Sequence, residues 1–135
     1  MFVSETDYLH IWVDEDVQLM YSEWLRSASS EEYRQGNKRL LAVQQKYSLP
    51  FWIADSARLG DISAEDLEWT VKELTPRVIG ANIKKLARVS GEDRISYNKF
   101  EHFVEKMSRL GFGDMEVRQF TSYKEAADWI GEIYS

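Results

Sequence analysis

Three carboxylates crowd one short stretch of the chain. Asp55 closes the apolar run Phe51-Trp52-Ile53-Ala54, Asp61 follows Gly60, and Asp66 lies three residues past Ser63. Hard cations such as Mg²⁺ or Ca²⁺ take several carboxylate oxygens, so a metal site is the boldest chemistry these residues suggest. The spacing matches no calcium-loop pattern, and each aspartate has a local task instead: Asp55 accepting loop amides, Asp61 making a turn, Asp66 completing a helix cap. The local roles are preferred, and no metal or other cofactor is expected.

The remaining candidates for catalysis are sparse. His10 and His102 are the only histidines, and neither has a second histidine or a carboxylate at ligand spacing. Gly111 and Gly113 alone do not make a phosphate loop, and no Gly-x-Ser-x-Gly elbow occurs. Nothing assembles a nucleophile, a base and an oxyanion site, so the expectation is a protein that is not an enzyme.

Asp55 and Ser56 nevertheless hold a privileged place if Phe51 to Ala54 is a central strand. Ligands of open α/β sheets sit outside the carboxyl ends of the strands. The elements around them support that placement. Tyr8 to Val13 and Val17 to Leu25 read as two strands around the polar turn Asp14 to Asp16, a hairpin. Ser29 with Glu32 is a capping box, and Tyr33, Gly36, Leu40, Val43 and Tyr47 fall on one helical stripe. Pro50 opens the strand Phe51 to Ala54, apolar throughout as a strand covered on both faces is.

A second helix starts at Ser63, with Glu65 and Asp66 in its first turn, inner face Leu67, Val71 and Leu74, and an end or kink near Thr75 before Pro76. Ile83 to Val89 reads as a strand. A helix from about Ser96 to Leu110 carries the face Phe100, Phe103, Val104, Met107 and Leu110, and Gly111 and Gly113 stop it. Met115 to Phe120 alternates as a strand. Ser122 with Glu125 opens a final helix burying Ala126, Trp129, Ile130 and Ile133. The order β-β-α-β-α-β-α-β-α predicts an α/β fold, a mixed sheet covered by helices.

Bulk properties narrow the function. A length of 135 residues suits one domain, spanning 1–135, with a real core. Apolar residues at 44% and charged residues at 30% are ordinary for a globular protein. The net charge of −6 argues against nucleic acid and against anionic membrane surfaces. The chain has no cysteine, which fits a reducing cytoplasm, and its first ten residues carry no basic flank or long apolar core of a signal peptide.

Charge and aromatic residues offer one docking surface. Residues 61 to 73 carry five acids and one lysine, and residues 77 to 88 carry four bases and no acid. The pair could guide docking between protomers as a homodimer. The preferred reading is solvated faces, with lysines blunting a sheet edge. Of the five tryptophans, Trp69 lies off the Leu67, Val71 and Leu74 face, where it could line a pocket or anchor a partner.

The element order is similar to the STAS fold of sulphate transporters and anti-sigma-factor antagonists. The antagonists carry a strand ending in Asp-Ser-Ser-Gly-Leu-Gly, where this chain has Asp55-Ser56-Ala57-Arg58-Leu59-Gly60. The ending Phe120 to Ile130 resembles the family's last strand and helix. More closely, the chain looks like small bacterial proteins grouped with the antagonist-like and Sec14-like branches. In the antagonists the second serine of the motif is phosphorylated; Ala57 stands at that position here, and Arg58 replaces the following glycine. The resemblance therefore implies a non-catalytic, cytoplasmic regulator of bacterial signalling without the usual phosphoserine switch. Its work would be binding a protein partner through Asp55, Ser56, Arg58, Asp61 and Trp69. The Sec14-like branch implies the alternative, a carrier of a small apolar, lipid-like ligand in a cavity between helices and sheet.

Overall fold

Alternating side chains and helix caps build a mixed sheet with helices on both faces. The computed structural model describes residues 1–109, 111, 113 and 115–132. The strands are β1 (Phe2–Glu5), β2 (Leu9–Asp14), β3 (Leu19–Trp24), β4 (Phe51–Asp55), β5 (Lys85–Val89) and β6 (Glu116–Phe120), and they form one six-stranded sheet in sequential order. β1, β2 and β3 pair antiparallel; β3 to β6 run parallel.

The helix α1 (Ser30–Tyr47) joins β3 to β4. Its capping box is complete: the Ser29 hydroxyl accepts from the Glu32 amide at 3.1 Å, and the Glu32 carboxylate accepts from the Ser29 amide at 2.9 Å. The predicted stripe is the buried face, with Tyr33, Gly36, Leu40 and Val43 inside and Tyr47 half-buried. The hairpin turn differs from expectation by two residues. Asp14 accepts from the amides of Asp16 and Val17, and Gln18 takes a left-handed φ of 58°. Val17 and Gln18 therefore belong to the turn, and the strand begins at Leu19.

The opening strand β1 was not expected. It is short, pairs with β2 through an irregular register between Phe2 and Ser4, and lies at the sheet edge. Four residues without alternation or a turn signal leave no periodic trace.

Between β4 and β5 the chain forms α2 (Ala64–Trp69), a π-helical turn (Thr70–Leu74) and α3 (Thr75–Ile79). Where Pro76 predicts an end or kink near Thr75, the α-helix is interrupted but the chain continues helical. Pro76 has no N–H, and its ring would strike the carbonyl of the residue four back in an α-helix. The π turn widens the helix there instead. The Thr75 amide and hydroxyl both donate to the Thr70 carbonyl, the hydroxyl at 2.9 Å. α4 (Arg94–Ser108) is capped by Asp93, whose carboxylate accepts from the Ile95 and Ser96 amides at 3.1 Å each, so it starts before the expected Ser96. α5 (Tyr123–Gly131) follows β6, with Ser122 accepting from the Glu125 amide at 3.3 Å. The predicted face residues Leu110 and Ile133 lie outside the described residues.

Right-handed crossovers between parallel strands laid down in sequential order must place all their helices on the same side. The packing agrees: α1 and the α2–α3 segment bury Leu9, Ile11, Met20, Trp24 and Trp52 on one sheet face. Among the described residues α5 covers the opposite face, through Ala126, Trp129 and Ile130 against Phe51, Ile53, Ala87 and Val89. Beyond the reach of α5, Phe2 and Trp12 stay exposed and meet edge-on at 4.7 Å between ring centres.

The sheet order corrects the reading of the basic segment. β5 lies between β4 and β6, so it is not an edge. Alternation sends its cations to opposite faces. Lys85 lies over the Trp129 ring and donates to the Trp129 carbonyl at 2.9 Å, whereas Arg88 turns under the helices. No helix among the described residues is long and apolar enough to cross a membrane.

Candidate functional site

The pairing register places Ser22, Ala54, Arg88 and Gln119 side by side across β3, β4, β5 and β6 on the face that α1 to α4 cover. Two of the four side chains are small. A helix layer resting on the larger neighbours cannot close down on them, and a partly open cavity of about 210 Å³ remains. Leu67, Leu74 and Val78 roof it from the α2–α3 segment, and Phe100, Phe103 and Val104 from α4. Leu67, 42% exposed, borders this space. The π turn contributes Thr70 to the wall, and the Tyr33 hydroxyl shares a 2.8 Å hydrogen bond with it. Burial pushes the Tyr33 hydroxyl up from its ordinary value, so it remains a neutral donor or acceptor.

The floor holds one charge. Arg88 is 8% exposed, its guanidinium lying 4.7 Å from the centre of the Phe100 ring. One nitrogen donates to the Gln119 side-chain oxygen, and another donates to the Ser96 hydroxyl at 2.9 Å. Gln119 is itself fixed, donating to the Tyr97 carbonyl at 2.9 Å and to Glu101 at 3.1 Å. No carboxylate among the described residues pairs directly with Arg88. Burial pushes the guanidinium down to about 10, opposed by nearby Tyr33, Asp93 and Asp55, so it carries its charge at neutral pH.

The residues singled out from the sequence divide among different places. Ser56 and Asp61 line the cavity rim. Asp61 does not serve only as a turn former: it accepts from Lys99 at 2.6 Å, across to α4, as well as from the Ile62 amide at 3.1 Å. Asp55 lies on the opposite sheet face. It accepts from the Ala57 amide at 3.0 Å, as expected of a loop-ordering aspartate, and from the Tyr21 hydroxyl at 3.3 Å. Burial, then the charges of Asp55 and Glu23, push the Tyr21 hydroxyl up, which keeps it a donor and not a nucleophile. His10 is the cross-strand neighbour of Glu23 on that same face, and His102 is exposed on α4. Arg58 is exposed, with no hydrogen bond or ion pair among the described residues.

Trp69 does not stand free. It meets Tyr33 edge-on at 6.1 Å and carries Arg34 over its ring at 5.5 Å, wedged between α2 and α1. The expected inner face of this helix is rotated. Asp66, Trp69 and Thr70 face α1, and Leu67 and Leu74 face the cavity. The cause is Asp66, 5% exposed, which accepts from the Ser30 hydroxyl at 2.6 Å and from Arg34 at 2.9 Å. A buried polar anchor of this kind leaves no mark on a hydrophobic pattern. The three aspartates thus serve three separate sets of partners.

Asp66 has a measurable consequence. The Ser30 hydroxyl, then Arg34, hold its carboxyl below the ordinary aspartate range. A carboxylate whose pKa is lower in the folded state contributes stability above its unfolded pKa, about 4, and loses it as pH falls through the folded value. Asp66→Asn is expected to lose about 2 kcal/mol at pH 7. Its urea midpoint should fall less than that of the wild type between pH 5 and pH 2.5. Equal acid sensitivity in the two proteins would show that Asp66 is not the coupled group.

Arg88 is the residue that sequence reasoning missed. The sheet order is what puts its strand inside the sheet, where a charge must be either paired or used. No family model, curated protein or solved structure matches this chain.

Proposed function

We propose that this protein binds a small apolar molecule in the cavity between the sheet and α2 to α4. The observation that carries the reading is the cavity itself: about 210 Å³, apolar over most of its wall, and bordered by an exposed leucine. An apolar cavity of roughly 150 Å³ accepts a benzene ring, and small-molecule sites begin near 300 Å³. The ligand is therefore small, closer to a medium-length alkyl chain or one or two rings than to a whole lipid. The STAS-like reading of the architecture belongs to the same proposal, with the crossover from Ser56 to Asp61 as the rim of the cavity and the Sec14-like branch as the nearer analogy.

Titration with 1-octanol, followed by the fluorescence of Trp24 and Trp52 in the wall, tests the reading. Wild type is expected to give a saturable change. Ala54→Phe, which fills the floor, should abolish it and raise stability by about 1 kcal/mol, as cavity filling commonly does. A wild type with no saturable response, or an Ala54→Phe variant that responds equally, rejects the proposal.

Docking of a signalling partner on the loop from Asp55 to Asp66 is the second reading. Arg58, exposed and unpaired among the described residues, favours it, and the packing of half-buried Trp69 against Tyr33 and Arg34 weighs against it. If Arg58→Glu retains every partner recovered by wild type from its own cells, this surface is not the docking site.

A further inference from the structure

We propose that the ligand carries a single carboxylate, and that Arg88 is its counterion. The inference rests on the reading of the cavity as a small-molecule site and specifies what enters it.

The argument begins with how this protein treats its other buried charge. Asp66 is buried against a cation and a hydroxyl that answer it directly, Arg34 and Ser30. Arg88 is buried to a similar degree without a direct carboxylate partner among the described residues. A guanidinium has five N–H groups, and the hydrogen bonds to Gln119 and Ser96 occupy two of them. Glu101 reaches only as far as the Gln119 amide. A buried charge without its counterion is costly, and a bound anion in the cavity would supply one.

The remaining polar groups fix the class of anion. Lys99 on the cavity wall is already neutralised by Asp61 at 2.6 Å. The cavity therefore offers one positive charge with no direct carboxylate partner among the described residues, which matches a monoanion. A phosphate monoester brings nearly two negative charges and would leave one unanswered among Leu67, Leu74 and Phe103. A carboxylate also matches the planar fork of a guanidinium held in place by a ring and a glutamine. The apolar walls then receive the rest of the molecule, so the ligand class is a small apolar monocarboxylate, a medium-chain or arylalkyl acid.

Three probes of equal chain length separate the possibilities: octanoate, 1-octanol and octyl phosphate, titrated by calorimetry at pH 7.5. Wild type is expected to bind octanoate about tenfold more tightly than 1-octanol, the increment of a charged hydrogen-bonded pair. Octyl phosphate should bind more weakly than octanoate. Arg88→Met should bring octanoate and 1-octanol to within about twofold of one another, and Arg88→Lys should keep part of the preference. If 1-octanol binds wild type as well as octanoate does, the cavity reading stands and the carboxylate assignment falls. If octyl phosphate binds most tightly, the anion class is wrong. If none of the three binds, both readings fall together. Should Arg88→Met fail to fold, the wild-type ratios and Arg88→Lys decide the matter.

Discussion

Gly36→Val is expected to lower the stability of this protein by about 3 kcal/mol and its melting temperature by roughly 10 °C. Gly36 sits in the buried face of α1, directly over the indole of Trp24. A Cβ at this position would lie 2.5 Å from Trp24 Cη2 and 3.1 Å from Leu9 Cδ2. Replacing glycine inside a helix ordinarily adds up to about 1 kcal/mol through backbone entropy. The steric term exceeds it here, because Trp24 has little room to yield. Its ring is stacked between Tyr8 at 6.2 Å and Tyr33 at 5.9 Å. Gly131, with nothing among the described residues within 4 Å of the corresponding Cβ, is the control. Gly131→Ala should leave the urea midpoint unchanged or slightly higher. A Gly36→Val protein within 0.5 kcal/mol of wild type would mean that α1 does not pack on Trp24 as closely as described.

The contrast between these two glycines also marks the limit of pattern reading. The stripe Tyr33, Gly36, Leu40 and Val43 was legible because it repeats at helical spacing and is announced by a capping box. The number and order of the later elements were legible for the same reason: each has its own period and its own stop signal. Three features carried no such signal. β1 has four residues and draws its order from pairing with β2, a tertiary cause. The π turn answers a clash between Pro76 and the preceding turn, and the sequence shows the proline but not which of several reliefs the backbone takes. The face of α2 is set by Asp66 reaching Ser30 and Arg34, whose positions in α1 lie over thirty residues away.

The candidate site divides along the same line. The crossover after β4 was placed correctly at the carboxyl end of an interior strand, and Ser56 and Asp61 do border the cavity. Asp55, next to them in sequence, serves the opposite face, since neighbours in a strand point opposite ways. Trp69 was expected to be available because hydrophobic periodicity put Leu67 inside; with the helix rotated, tryptophan is packed and leucine borders open space. Arg88 was hidden for a different reason. Counted with Arg77, Lys84 and Lys85 it belonged to a basic run, and a run suggests a solvated surface. Only the strand order reveals that the run crosses the middle of the sheet and that one of its members must be buried.

That burial makes Arg88→Met the sharper stability experiment, because its effect should depend on whether ligand is present. Replacing buried ionic groups with apolar side chains of similar volume is neutral to stabilising by about 1–4 kcal/mol even where the charges are paired. Arg88 has no direct carboxylate partner among the described residues to lose, so the substitution forfeits the hydrogen bonds to Gln119 and Ser96 and the contact with Phe100. Gln119 keeps its bonds to Tyr97 and Glu101, which hold it in place. Ligand-free Arg88→Met is therefore expected to be more stable than wild type by about 1 kcal/mol. Octanoate at a hundred times the wild-type dissociation constant should stabilise wild type by about 2.7 kcal/mol, a rise of roughly 10 °C in melting temperature, and the tenfold weaker variant by only about 1.4 kcal/mol. The advantage of the variant would then vanish on adding ligand. A residue retained to hold the sheet and α4 together would behave otherwise: its removal would lower the melting temperature with and without octanoate, and by the same amount. That outcome would reassign Arg88 to the core and remove the counterion role.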